Sequence, residues 1–134
     1  MNSFSLKIVT PDGLIYDGQA EELIVRTTTG DLGIMAGHIS CVAPLGMGRA
    51  MVLADGKRRY AACIGGMVSV VNGTVTLVPT TFEWADKIDA QRAKDSEEKA
   101  RNILKDKNAT ETELRLAEAR LKRALVRKSV AQQL

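Results

Sequence analysis

The chain has 134 residues, 45% apolar and 4% aromatic, with a formal net charge of +3. That length suits one domain, or one domain with an appendage, with a core of Val, Ile, Leu, Met and Ala. No stretch approaches the roughly 18 apolar residues of a spanning helix, and the start, Met1 to Lys7, lacks the basic-then-apolar order of a secretory signal. The expectation is therefore a cytoplasmic protein in which Cys41 and Cys63 are two buried thiols rather than a disulfide.

Phe4, Leu6 and Ile8 alternate with Ser5, Lys7 and Val9, which predicts a half-buried strand. Pro11-Asp12-Gly13 is a turn. Leu14 to Tyr16 and Glu22 to Thr28 predict two further strands, followed by a turn at Thr29-Gly30-Asp31. A segment punctuated by Gly30, Gly33 and Gly37 then carries Ile34, Met35 and His38. Met47 to Ala54 predicts a strand, Asp55-Gly56 a hairpin turn, and Arg59 to Ile64 and Met67 to Val71 two more strands. Gly65-Gly66 between them reads as a bulge or a close backbone approach. Asn72-Gly73 is a hairpin turn whose central residues need positive φ, and Thr74 to Val78 is the returning strand, closed by Pro79 and two threonines. Short strands with turn signals every 8–12 residues predict an all-β sandwich or barrel.

The apolar period changes from about two to about 3.6 in the stretch Glu83 to Lys94. All eleven glycines precede residue 74, and a first helix is predicted from about Ala85 to Lys105. Asp106 to Ala109 is a connector. Thr110 and Glu113 form a capping box, opening a second helix with Leu114, Ala117, Leu121, Ala124, Leu125 and Lys128 on one stripe. Two helices with so short a link predict an antiparallel hairpin. The division falls into a β domain over 1–84 and a hairpin over 85–134. The alanine-rich stripe predicts weak packing that can come undone.

Charge follows the same division. Residues 1–85 carry six Lys/Arg against seven Asp/Glu, whereas residues 86–134 carry thirteen against nine. From Arg115 onward, Arg115, Arg120, Lys122, Arg123, Arg127 and Lys128 face one acid, Glu118. Such a helix wants an anionic partner. His38, the only histidine, has no paired carboxylate or cysteine around it in sequence to make a triad or a metal site. No phosphate loop and no dinucleotide fingerprint occur. Two non-enzyme readings stay open on residues alone: a protein-interaction module with a mobile helical arm, or a nucleic-acid binder using the basic helix. Against the second, the β part is slightly acidic and poor in aromatics for base stacking. Asp89 and Arg92, three apart on one helix, read on their own as an intrahelical ion pair.

Four motifs stand in one order: Leu6 to Gly13 (Leu-Lys-Ile-Val-Thr-Pro-Asp-Gly), Gly30 to His38 (Gly-Asp-Leu-Gly-Ile-Met-Ala-Gly-His), Gly65 to Val70 (Gly-Gly-Met-Val-Ser-Val), and Ile88 to Ala93 (Ile-Asp-Ala-Gln-Arg-Ala). In order and spacing the chain resembles the epsilon subunits of bacterial F-type ATP synthases over essentially its whole length. Ala36, Ile39-Ser40 and Met67 depart from the usual proline, Ala-Pro and phenylalanine. The resemblance implies a sandwich of roughly ten strands in the central stalk, a non-catalytic subunit on the cytoplasmic face of the membrane with no direct membrane insertion. It implies contact with the gamma subunit and, through the loop from Asp31 to His38, with the ring of c subunits. It implies a hairpin that permits rotation when folded down. Extended, its basic helix (Arg115, Arg120, Lys122, Arg123, Arg127) meets alpha and beta subunits and blocks ATP hydrolysis. No cofactor, metal or nucleic acid is expected. ATP is implied as a regulatory ligand, at Glu83, Ile88, Asp89, Arg92, Ala93, Arg123 and Arg127. Guanidinium groups suit phosphate oxygens, and a carboxylate can accept from the adenine amino group or a ribose hydroxyl.

Overall fold

The computed structural model describes residues 2–132, which divide into two compact units, one ending at Trp84 and one beginning at Ala85. The first holds eight strands: β1 (Phe4–Thr10), β2 (Gly13–Ala20), β3 (Glu22–Thr27), β4 (Gly30–Met35), β5 (Cys41–Pro44), β6 (Met47–Ala54), β7 (Lys57–Val71) and β8 (Thr74–Trp84). Their order is β2-β1-β8-β7-β6-β3-β4, with β5 added on β7. All pairings are antiparallel except β1 with β8.

The sandwich arises because β7 and β8 serve both layers. β7 pairs β6 from Lys57 to Ile64 and β5 from Met67 to Val70. β8 pairs β1 only from Thr74 to Leu77. The change falls at Gly65-Gly66 and at Pro79, which stands opposite Gly66. Eight continuous strands thus replace the roughly ten expected; cutting β7 and β8 at this point gives five segments per layer. The expectation that β8 closes at Pro79 is corrected as well, since the strand continues to Trp84. Proline survives there because β1 no longer runs beside β8, so no ladder bond is lost on that side.

Alternation places the core as expected for β1, where Phe4, Leu6 and Ile8 are buried. They join Leu23, Val25, Ile34, Ala50, Val52, Val68, Val70, Val75, Leu77 and Phe82 in one apolar cluster. Thr10 and Thr27 are buried at two hairpins in the same role. Each hydroxyl donates to the carbonyl three residues on (Gly13 and Gly30, 3.3 and 2.7 Å) and accepts the backbone N–H two residues on. Asp55-Gly56 and Asn72-Gly73 both take positive φ at both residues, as their turns require. Cys63 is buried and its thiol is pushed up to about 12 by burial, so it is unreactive. Cys41 is half-buried, a correction to the expectation of two buried thiols.

The second unit is a 3₁₀ turn (Ala85–Lys87), then α1 (Ala90–Lys105) and α2 (Glu111–Ala131). The first helix therefore starts five residues later than its sequence period suggested. Asp89 explains the difference: it is the N-cap, with extended backbone, and its Oδ1 accepts the Arg92 N–H at 3.0 Å. The capping box of α2 forms as expected. The Glu113 N–H donates to the Thr110 hydroxyl at 3.1 Å, and the Thr110 N–H donates to Glu113 at 3.4 Å.

Candidate functional site

In the β unit, Asp31 and His38 are not brought together. Asp31 opens β4 on its outer face and pairs with Arg26 of β3 at 2.9 Å. Both side chains are about half exposed, so the pair is worth little. His38 follows the far end of β4, beyond Met35, which is itself about 13 Å along the strand from Asp31. Its N–H donates to the Met35 carbonyl at 3.1 Å, and its Nδ1 lies 2.8 Å from the Ile39 carbonyl. The loop tip is apolar: Met35 and Ile39 are 60% and 78% exposed.

Strand parity leaves a second apolar surface that the sequence reading did not single out. Pro44 pairs with Met67, Met67 with Val78, and Val9 with Leu14. Val9 follows Ile8, the partner of Leu77, so it continues the row from Val78 across β1. The row crosses β5, β7, β8, β1 and β2 on the face opposite the core. Met67, Val78 and Leu14 are 44%, 46% and 59% exposed, with Val42 and Val71 exposed beside them. Large side chains there lose free energy in water, of the order of 25 cal/mol per Å², and a contiguous patch of them marks an interaction surface. The signal was present in the sequence. Met67-Val68 and Val70-Val71 are apolar on both parities, although only one face of a sandwich layer meets the core.

In the hairpin, Ile88 precedes the cap, Ala93 is buried, and Arg92 is exposed on the first turn of α1. Asp89 and Arg92 interact through the cap bond to the Arg92 backbone N–H, which replaces the side-chain ion pair expected from spacing. Arg123 and Arg127 are half-buried, one turn apart on α2. Glu83 belongs to β8 in the first unit. Arg115 is exposed and pairs with Glu111 at 3.2 Å, while Arg120 and Lys122 are exposed. Of the expected inward stripe, Ala117 and Ala124 are buried and Leu125 is exposed; Val130, outside that stripe, is buried as well.

The buried stripe of α1 is Ala93, Glu97, Ala100. Glu97 accepts from Arg101 one turn along its own helix at 3.0 Å and from Lys128 of α2 at 3.1 Å. The Lys128 hydrogen bond first, then that of Arg101, holds its carboxyl below the usual glutamate range. A carboxylate whose pKa is depressed on folding supports the folded form above its unfolded pKa and loses that support as pH falls through the folded value. Acidification below about pH 4.3 is therefore expected to weaken α1–α2 pairing. Amide exchange in α2 between pH 6 and 3, corrected for its intrinsic pH dependence, checks this. Glu97→Gln should remove the acid-dependent step, and an identical step in that variant would assign it elsewhere.

Residues 3–85 match the family model of the ATP synthase delta/epsilon chain β-sandwich domain. The chain is 40% identical over 131 residues to the ATP synthase epsilon chain of Bacillus pumilus, covering 98% of each. It is 40% identical over 132 residues to that of Ruminococcus albus, again covering 98% of each. Among solved structures, a chain of the Euglena gracilis mitochondrial ATP synthase (OSCP/F1/c-ring, rotational state 1) superposes with a TM-score of 0.84 at 22% identity, over 98% of this chain and 82% of that one. A likeness at that identity speaks for the fold.

Proposed function

The chain belongs to the ATP synthase epsilon-chain family, and from that premise we propose that it is a non-catalytic central-stalk subunit of a proton-translocating F-type ATP synthase. Its β unit binds the gamma subunit and the c ring, at the cytoplasmic face of the membrane and without entering it. The observation that carries the reading is the outward apolar row of Pro44, Met67, Val78, Val9 and Leu14, which crosses five strands and has no counterpart in a monomer's own needs. A flat, rigid sheet face of this kind suits a permanent subunit contact, where apolar area dominates. The tip formed by Met35, His38 and Ile39 is a separate surface and suits the c ring. Similar architecture in a solved central-stalk and c-ring assembly from Tetrahymena thermophila, with a TM-score of 0.66 at 13% identity, supports the fold that this role uses.

The hairpin is the regulatory element of the same proposal. Its buried positions are mostly alanines, so the apolar area that holds α1 to α2 is small. A weakly held, cationic helix pair is a two-state element that a ligand or a partner can bias. Extended, the face carrying Arg120, Lys122, Arg123 and Arg127 meets acidic segments of the catalytic subunits and stops ATP hydrolysis. ATP, gathered by Asp89, Arg92, Arg123 and Arg127, favours the paired form.

The test addresses the row. Met67→Lys and Val78→Lys together place two charges in a contact that excludes water. Loss of anchors in such a patch costs roughly 2 kcal/mol each, so capture of the gamma subunit should fall by at least a hundredfold. Both sites are outward-facing, so the melting temperature should move by only a few degrees, about the shift that 1 kcal/mol produces. Undiminished capture by a folded double variant would place the gamma contact on another face.

A further inference from the structure

Glu97 is the only charged side chain that is buried among the described residues. It sits in the middle of the α1 stripe, one turn from Ala93 and one turn from Ala100. An apolar residue there would extend the stripe without the hydration that a carboxylate gives up, which its partners only offset. The two cations that meet it are not equivalent. Arg101 lies at i+4 on the same helix and stays within reach whether or not α2 is present. Lys128 comes from α2, and its contact exists only while the helices are paired. Parting the helices therefore exchanges the Lys128 contact for water at Glu97. It also returns an uncompensated ammonium to the basic face of α2. A part-buried pair of this kind adds little net stability but selects one pairing, since any other register leaves the carboxylate with Arg101 but without its partner from α2.

We propose that Glu97 is an internal counter-ion for α2, which fixes the pairing of the hairpin and withholds Lys128 from an acidic partner surface until the helices part. The partner chemistry is a cluster of carboxylates, since that is what can replace Glu97 at the ammonium. Closing the hairpin and presenting the full charge of α2 then compete for one side chain. Lys128 joins Arg120, Lys122, Arg123 and Arg127 as a determinant of the extended state, and Glu97 sets the threshold for leaving the closed one. The partner half of this inference rests on the inhibitory reading above; the pairing half does not.

The experiment therefore has two arms. In the first, amide exchange of the full chain is followed at neutral pH for the wild type, Glu97→Gln, Lys128→Gln and the double variant. Each single change should speed exchange in α2 by about tenfold, within the range of coupling energies for contacting charged groups. The double variant should be no faster than either single one. Exchange unchanged in Glu97→Gln, or effects that multiply in the double variant, overturns the proposal. In the second arm, the same chains are assembled into the ATP synthase and hydrolysis is measured. Glu97→Gln should lower hydrolysis by favouring the extended form with Lys128 intact, whereas Lys128→Gln should not. Hydrolysis higher in Glu97→Gln than in wild type would overturn the withholding role. The Arg120, Lys122, Arg123 and Arg127 to alanine variant separates the two readings. If it leaves hydrolysis unchanged while the exchange cycle is coupled, the counter-ion stands and inhibition by α2 fails.

Discussion

Gly66→Ala is expected to cost the β unit at least about 3 kcal/mol, a large part of the roughly 5–15 kcal/mol that holds a domain together. Gly66 has φ of +98°, where an L side chain is strained by about 1–3 kcal/mol. Space makes matters worse. A Cβ at Gly66 would collide with the Val78 carbonyl oxygen and sit 2.7 Å from the Pro79 Cα. Those are backbone atoms of the paired strand, fixed by the ladder on either side, so β8 would have to move away. The Gly66 carbonyl also accepts the Leu45 N–H at 2.8 Å, which ties the start of the β5–β6 corner to the same point. Two controls set the scale. At Gly65, with φ of +68°, a Cβ would meet the Thr80 hydroxyl at 2.9 Å, and that side chain can rotate aside. At Gly56, with φ of +73°, a Cβ would meet nothing within 4 Å, so only the strain of positive φ remains. Urea unfolding of the three alanine variants should rank the losses Gly66, then Gly65, then Gly56. Equal losses would mean that β8 yields easily and that the close approach is not what fixes this crossing. Because Met67 and Val78 flank the crossing, Gly66→Ala should also impair gamma capture, unlike changes at the Gly56 hairpin tip.

The same crossing marks where sequence reading reached and where it stopped. Gly65-Gly66 announced a close backbone approach, yet the period-two pattern on either side suggested two strands. One continuous strand results because glycine lets the backbone bend without breaking the ladder. β4 and β5 carry no clear strand signal in the sequence for a related reason. Gly30-Asp31-Leu32-Gly33 and Cys41-Val42-Ala43-Pro44 are short and glycine- or proline-bearing, and their pairing with β3 and β7 supplies what local propensity lacks. The hairpin turns at Asp55-Gly56 and Asn72-Gly73 were legible because positive φ at two successive residues admits few sequences. In the helices, the Thr110–Glu113 box was legible and the Asp89 cap was not. A carboxylate followed three residues later by an arginine reads equally well as an ion pair or as a cap. Glu97 was hidden because helical periodicity counts apolar residues, and a buried carboxylate on that stripe looks like a solvent-facing one until its partner on α2 is known. The outward row on β5, β7, β8, β1 and β2 was written in the sequence as apolar residues on both strand parities, but only the strand order aligns them.

Asp89 makes the ATP prediction sharper than a motif match allows. On the proposed reading, ATP binds the isolated protein and favours the paired hairpin, because Asp89 and Arg92 on one helix and Arg123 and Arg127 on the other can surround it together only when the helices are paired. The shift equals the difference in affinity between the two forms. At 100 times its dissociation constant, ATP should stabilise the chain by about 2.7 kcal/mol. Asp89, however, already holds the Arg92 N–H through Oδ1. Asp89→Ala would therefore lose the cap, about 1 kcal/mol, together with any ligand contact, and a weaker binding signal could reflect a frayed helix alone. Asp89→Asn separates the two effects. Its side-chain oxygen still caps α1, while the charge that accepts from the adenine amino group or a ribose hydroxyl is gone. Without ATP, the far-UV spectrum and stability of Asp89→Asn should match wild type, and Asp89→Ala should fall below both. With ATP, calorimetric titration should show binding weakened by roughly 1–3 kcal/mol in Asp89→Asn, Asp89→Ala and Arg92→Ala, the usual range for a charge-assisted hydrogen bond. Full binding by Asp89→Asn with weak binding by Asp89→Ala would reduce Asp89 to a helix cap. No heat from the wild type at millimolar ATP would remove nucleotide from the regulation of this hairpin altogether.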